Sequence, residues 1–506
     1  MLPHGPDRTA SEAAPSAALG PEKLDQTMSF TFETRFAQHL TEFATRQAPL
    51  QDDYIDCWDS LEKKFDGTPG AMQCRSRPFR PCKDTIMPLL RSWIDSANAP
   101  GCPFPLNNLP CGVFSVTDED PRCGVAIGDF ILDLAGLEDD GILVLDDDPV
   151  FDVPFWNELM ELGPESWNDL RRRLTGLLAE GVARQDRTSR YLVPLADATL
   201  HLPFLVSEYT DFYSGRHHAT NVGSMFRGAA EALPPNWLHL PIGYNGRASS
   251  VVVSGTPVRR PWGQIKGAGF SEPAFAPSRR FDIELEIGAV VGQASVSGQP
   301  VTVAEADAMI FGYVLLNDWS ARDIQAWEYQ PLGPFQAKAT ATTLSPWIVM
   351  KAALEPFRAA TPPREVPLLP YLTEPGPMLY DIALQVTLIP ENGVPSVISR
   401  TNYSEMYFSA AQQLAHHTTS GCPMTVGDLL GSGTISGPGK DARGSMLELS
   451  WGGKEPIAIT GGTRSFVEDN DTMILSGAAR GDGYVIGFGD CSGKLLPALT
   501  DPYARG

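Results

Sequence analysis

Residues 281–287 read FDIELEI, and an extended chain through them would project Asp282, Glu284 and Glu286 to one side and Phe281, Ile283, Leu285 and Ile287 to the other. Carboxylates two residues apart on a strand stand roughly 7 Å from one another, a repulsion of about 0.6 kcal/mol in water and about 2.4 kcal/mol per pair at an effective dielectric of about 20. On an exposed sheet face such a row is harmless and deters edge-to-edge pairing. Buried, it requires a cation. Spacing alone leaves both readings open, and the solvated face is the commoner case.

Three further stretches carry groups able to do chemistry. YTDFYSGRHHATNVGSMFRG (209–228) packs Asp211, Tyr213, Arg216, His217, His218 and Arg227 into a glycine-containing segment that reads as a loop, where two histidines compete for any one role. LLNDWSARDIQAWEYQPLGPFQAKATATTLSPW (315–347) opens as an apolar strand that stops at Asn317 and Asp318. It then supplies Arg322, Gln325, Tyr329 and Lys338, a set suited to cradling an anion or enolate; Trp319 and Trp327 read as core. GTISGPGKDARGSMLELSW (433–451) has a glycine-rich turn with Thr434. A strand-like run follows in which Glu448 either faces solvent or meets a partner. His416 and His417 close a helical pattern at 403–421 ending in Gly421, where a cation near a helix C-terminus is favourable in itself.

These groups must be held by a β-rich scaffold. Short strand-like runs recur from CGVFSV at 111 to SMLELSW at 445, and with 47 Gly and 44 Pro the turns are frequent. Helical periodicity appears at 29–66, in VPFWNELMELG and in WNDLRRRLTGLLAEGVA. The texture divides the chain into an extension (1–91, its first 28 or so residues rich in Ala, Pro, Ser and Gly), a module at 92–202 and a large β-rich domain at 203–506. A formal net charge of -22 argues against nucleic-acid and anionic-membrane partners. Eight cysteines without CxxC spacing form neither a disulfide framework nor a zinc ribbon. With no secretory h-region and no run near the roughly 18 apolar residues of a membrane span, the expected location is cytoplasmic.

Taken together, the quoted stretches, with NWLHLPIGYNGRASSVVVSGTPVRRPWGQ and GDGYVIGFGDCSGKLLPA, resemble the fumarylacetoacetase family from about Ser92 to Pro502. The resemblance implies a mainly β, mixed α+β fold, with a small SH3-like N-terminal β-barrel preceding the fumarylacetoacetase-type mixed β-roll, assembled as a homodimer. It implies calcium on Asp211, Glu284, Glu286 and Asp318, and magnesium near Asp318, Lys338 and Thr342 through oxygen atoms, since an ammonium cannot ligate a cation. Asp282 is not carried over as a ligand. Catalysis would rest on His218 as base, Glu448 as its orienting acid, and Arg322, Gln325 and Lys338 around the developing charge. A diketo dicarboxylate would be held by Tyr213, Arg227, Gln325, Tyr329 and Thr434, with Tyr244 a weaker candidate. The implied reaction is hydrolysis of 4-fumarylacetoacetate, the last step of tyrosine and phenylalanine catabolism. The alternatives are a related acylpyruvase or other diketo-acid hydrolase, and a non-catalytic calcium-binding module of the same fold. Asn245 stands where the family usually has His, Ala341 where it tends to have Gly, and residues 1–91 match nothing in the family.

Overall fold

The computed structural model describes residues 88–504 other than 184, 268, 270 and 502, so the helices expected at 29–66 lie outside the described residues. Strands β1 (Cys111–Ser115), β2 (Arg122–Ile127) and β3 (Phe130–Asp133) run antiparallel, β2 and β3 joined through Gly128 at a φ of 58° that suits glycine. Helix α1 (Asn157–Glu161) and helix α2 (Gly163–Leu178) follow as expected. α2 buries Trp167, Leu170, Leu174 and Leu178, the spacing of a one-faced helix. β4 (Leu192–Pro194) and β5 (Thr199–His201) pair with β3 and β1.

The stretch 209–228, expected as a loop, is β6 (Tyr209–Phe212) and then α3 (Arg216–Arg227). Next come β7 (Gly243–Asn245), β8 (Val251–Val253), β9 (Leu285–Val291), α4 (Val303–Met309), β10 (Ile310–Asp318), α5 (Arg322–Glu328), β11 (Thr342–Leu344) and β12 (Trp347–Met350). β13 (Ala383–Ile389) and β14 (Ser396–Asn402) lead to a 3₁₀ turn at Tyr403–Glu405 and to α6 (Ala410–Thr418). α6 is shorter than its periodicity predicts because a capping box between Ser409 and Gln412 starts it. After β15 (Leu429–Gly431), SMLELSW is not a strand. Met446–Leu449 is a helical turn, α7, capped by the Ser445 hydroxyl, which accepts from Glu448 N. The S-x-x-E pattern of a capped turn overrides the apolar alternation that predicted a strand. The chain closes with β16 (Thr472–Arg480) and β17 (Val485–Leu496).

Among the described residues, one sheet of thirteen strands follows the path β4-β3-β2-β1-β12-β10-β9-β15-β6-β7, with β5, β11 and β8 off the path. The N-terminal strands share it because β1 pairs antiparallel with β12, Cys111 opposite Ile348. β10 is buried at all nine residues, which is why its sequence is a continuous apolar run until Asn317 and Asp318. Behind it packs a second sheet, β14-β13-β16-β17 with Val258–Arg259 at the edge. Trp319 belongs to the core as expected; Trp327 does not, being 40% exposed.

Candidate active site

The acid row is buried, not solvated. Its strand breaks between Phe281–Asp282 and Leu285, so the three acids are not one flat face, and Asp282, Glu284 and Glu286 are each no more than 4% exposed. Glu286 on β9, Asp211 on β6, Asp318 at the end of β10 and Glu284 just before β9 each place one oxygen within 4.8 Å of the others. Register explains the convergence: Gly431 of β15 lies between Gly288 and Asp211. A Cβ there would come within 3.1 Å of Glu286 Oε2 and 3.2 Å of Asp211 Oδ1. The missing side chain leaves the carboxylates their space.

Two buried cations face these acids. Lys338 Nζ contacts both Glu284 and Asp318, and Arg322 Nη1 reaches Glu284 Oε1 at 2.6 Å. Although burial opposes it, Lys338 and Arg322 hold Glu284 far below the ordinary carboxylate range, and the acids in turn raise both basic groups. Burial and acidic neighbours push Glu286 and Asp318 well above that range and raise Asp211. Asp211 Oδ1, Glu286 Oε1 and Asp318 Oδ1 are buried without a hydrogen-bond partner, as are the hydroxyls of Tyr209 and Thr342. Orphaned oxygens around an excess of negative charge fit a hard divalent cation.

Beside this cluster, His218 is buried on the first turn of α3, with Nδ1 2.7 Å from Glu448 Oε2 and Nε2 3.9 Å from Glu284 Oε1. Glu448 also accepts from Asn221 Nδ2 at 2.8 Å, Ser436 Oγ at 2.9 Å and Ser445 Oγ at 2.8 Å. Burial alone raises its carboxyl, but His218, Asn221 and Ser445 outweigh that and hold it below its ordinary range. An ionised carboxylate only accepts, so Nδ1 carries the imidazole proton and Nε2 is left as a base. His217, one helical step away, is partly exposed, its Nε2 3.4 Å from Glu405. The two histidines therefore diverge by the turn of a helix rather than by strand alternation.

Of the remaining expected residues, Gln325 Oε1 accepts from Arg322 Nη1 at 3.2 Å, and Thr434 Oγ1 is buried and unpartnered. The Tyr213 ring meets His218 edge-on at 5.4 Å between centroids. Tyr329 is 45% exposed in the stretch after α5. Arg227 is exposed at the end of α3 and donates to the carbonyls of Glu231 and Ala232, so here its guanidinium grips backbone and no carboxylate. Tyr244 lies across from Asp211 in the β6–β7 register, where burial raises the acid's carboxyl and the Tyr244 phenol works against that. His416 and His417 lie elsewhere, bonded to Tyr371 and Thr210.

Family models match this chain at residues 107–203 (fumarylacetoacetase N-terminal) and 208–494 (fumarylacetoacetate hydrolase C-terminal). The second alone spans more than half of the chain. The chain belongs to the fumarylacetoacetase family. The fumarylacetoacetase of Dictyostelium discoideum is 48% identical over 81% of this chain and 99% of its own, and that of Homo sapiens 50% identical over 78% and 97%. Among solved structures, the fumarylacetoacetate hydrolase of the psychrophile Exiguobacterium antarcticum aligns over 77% of this chain and 99% of its own, at 16% identity and a TM-score of 0.45. Residues 1–65 match a different model, homogentisate 1,2-dioxygenase C-terminal. They therefore have a likeness of their own outside the fumarylacetoacetase family.

Sequence reasoning missed Asn221, Ser436 and Ser445 around Glu448, and left Asp282 to solvent or to the surroundings of the ligands without naming its partners. Asn221 had a signal: once 216–227 is a helix, it lies three residues from His218 on the same face. Ser445 had one in the S-x-x-E spacing. Ser436 and Asp282 had none, since only the fold brings them to their partners.

Proposed function

We propose that this chain is a hydrolase that cleaves the carbon–carbon bond of 4-fumarylacetoacetate to fumarate and acetoacetate, the last step of tyrosine and phenylalanine breakdown. What carries the reading is the buried His218–Glu448 pair beside the four-acid cluster, in a chain matching fumarylacetoacetases over nearly their whole length.

Water adds to the ketone beside the fumaryl double bond, giving a tetrahedral alkoxide. The bond from that carbon to the methylene then breaks, its electron pair leaves with acetoacetate as an enolate, and a proton closes the balance. His218 Nε2 takes the proton of the attacking water, and Glu448 keeps the imidazole oriented through Nδ1. Arg322, whose Nη2 is buried and unpartnered, stabilises the alkoxide with Gln325. The ammonium of Lys338 holds the departing enolate. Tyr213, Arg227, Gln325, Tyr329 and Thr434 hold the two carboxylates and the diketone, Arg227 doing so only after exchanging its carbonyl partners.

Asp211, Glu284, Glu286 and Asp318 would hold calcium, with magnesium near Asp318, Lys338 and Thr342; these ions supply positive charge against which the diketone oxygens are stabilised. The same reading includes a homodimer located in the cytoplasm. No helix among the described residues is long and apolar enough to cross a membrane. The test follows the absorbance of enzymatically generated fumarylacetoacetate, with and without chelator. Decay at an enzymatic rate that chelation suppresses is the expected result, and a stable absorbance with metal-loaded protein sinks the reading.

A further inference from the structure

Asp282 is the acid of the row that does not join the cation cluster, yet it has no exposed surface. Its carboxylate is filled to capacity. Oδ1 accepts from the backbone N–H of Ile283 and of Met446, both at 2.8 Å, while Oδ2 accepts from Leu447 N at 3.0 Å and from Arg322 Nε at 2.8 Å. One side chain thus joins the first turn of α7, which carries Glu448, to the Arg322 guanidinium. Capping that turn needs only a neutral acceptor, which Ser or Asn supplies as well. The negative charge and the fourth acceptor position are needed for Arg322 alone.

The geometry of Arg322 shows what this accomplishes. Nη1 is held by Glu284 Oε1 at 2.6 Å and Gln325 Oε1 at 3.2 Å, Nε by Asp282, and Nη2 is buried with no partner. A guanidinium is planar, so pinning Nε and Nη1 fixes the direction of Nη2. We propose that Asp282 is a positioning residue for the hydrolysis: it aims the free Nη2 of Arg322 at the developing alkoxide and keeps that donor in register with the His218–Glu448 pair. The inference rests on the hydrolase reading above.

Asp282→Asn keeps one acceptor oxygen but turns an N–H₂ toward either Arg322 or α7. Turnover should fall about 10–100-fold, as when an outer partner of a working group is removed, with little change in KM, because the donor acts on the transition state. The Arg322→Ala variant should lose more and be partly restored by guanidinium at sub-denaturing concentration. Guanidinium should restore nothing in the Asp282→Asn/Arg322→Ala double variant, and that variant should be no slower than Arg322→Ala alone. Wild-type turnover in a folded, metal-replete Asp282→Asn protein overturns the proposal, as does a double variant whose losses simply multiply. Should Asp282→Asn fail to fold, Asp282→Ser decides, since it keeps a neutral acceptor for α7 but removes the charge facing Arg322 Nε: slow turnover with little change in KM supports the proposal, wild-type turnover overturns it. A wild-type protein inactive on fumarylacetoacetate removes the hydrolase reading and this inference with it, whereas an active wild type with an indifferent Asp282→Asn removes this inference alone.

Discussion

His218 and His217 are adjacent in the chain but differ in everything that matters for catalysis. The first is 3% exposed and bonded to a carboxylate anchored by three further donors; the second is at the surface near Glu405. His218→Asn should therefore lower turnover by about 10² to 10⁴, the usual contribution of a positioned base, while His217→Asn costs less than about tenfold. Steady-state kinetics of both variants over roughly pH 5.5–9 test this, the range spanning the histidine titration; an inactive His217 variant beside an active His218 variant reverses the assignment. Glu284 stands between the two halves of the site, touching Lys338 and Arg322 and contributing to the acid cluster. Replacing it with Ala should abolish stoichiometric metal binding. It should also cost about 3–5 kcal/mol of stability, because two buried cations lose their counter-charge. Metal analysis and chemical denaturation read the two effects separately, and an unchanged ion content contradicts the cluster's role as a cation site.

Elements here are locked together by charged clusters at their ends. Asp307 lies near the C-terminus of α4, where the helix dipole disfavours an acid, and is compensated by Arg358, whose Nη1 and Nη2 donate to it at 2.9 and 2.8 Å, and by Lys351 Nζ. Burial raises its carboxyl, but these cations outweigh burial and leave it below the ordinary range. A depressed folded pKa adds stability that is fully present above the unfolded value, near 3.8, and is lost as pH falls through the folded one. Unfolding free energy measured by denaturant titration from pH 7 downward should thus drop more steeply below about pH 4 in the wild type than in Asp307→Asn. Parallel curves would show that Asp307 does not contribute. Among the elements at the site, α7 has only four residues and forms because Ser445 and Asp282 satisfy its first N–H groups.

The first described residues are tied to the body: Pro88 bridges to Asp482, Leu90 N donates to Asn107 Oδ1 at 2.8 Å and Ser92 Oγ to Leu178 O at 2.7 Å. Deleting residues 1–87 should leave a folded enzyme of wild-type turnover, whereas deletion through 91 removes the Leu90 bond and should lower the melting temperature. An insoluble or inactive 88–506 protein would show that the segment resembling the dioxygenase C-terminus is needed. The sequence by itself determined the fold class, the family and the identity of the four clustered acids. Strand runs, turn residues and long collinear motifs are local properties, legible without contacts. Spacing alone favours a solvated acid row, a reading that the family motifs already reverse; 209–228 reads as a loop and 445–451 as a strand, because apolar alternation over so few residues does not separate a capped turn from a strand. Only the tertiary structure decided that Asp282 serves Arg322 and α7 rather than the cation cluster, and that Ser436 and Asn221 hold Glu448. These partners lie 12 to 227 residues apart in the chain. Burial makes each such bond obligatory, and burial is set by the sheets that close over the site rather than by any stretch of sequence within it.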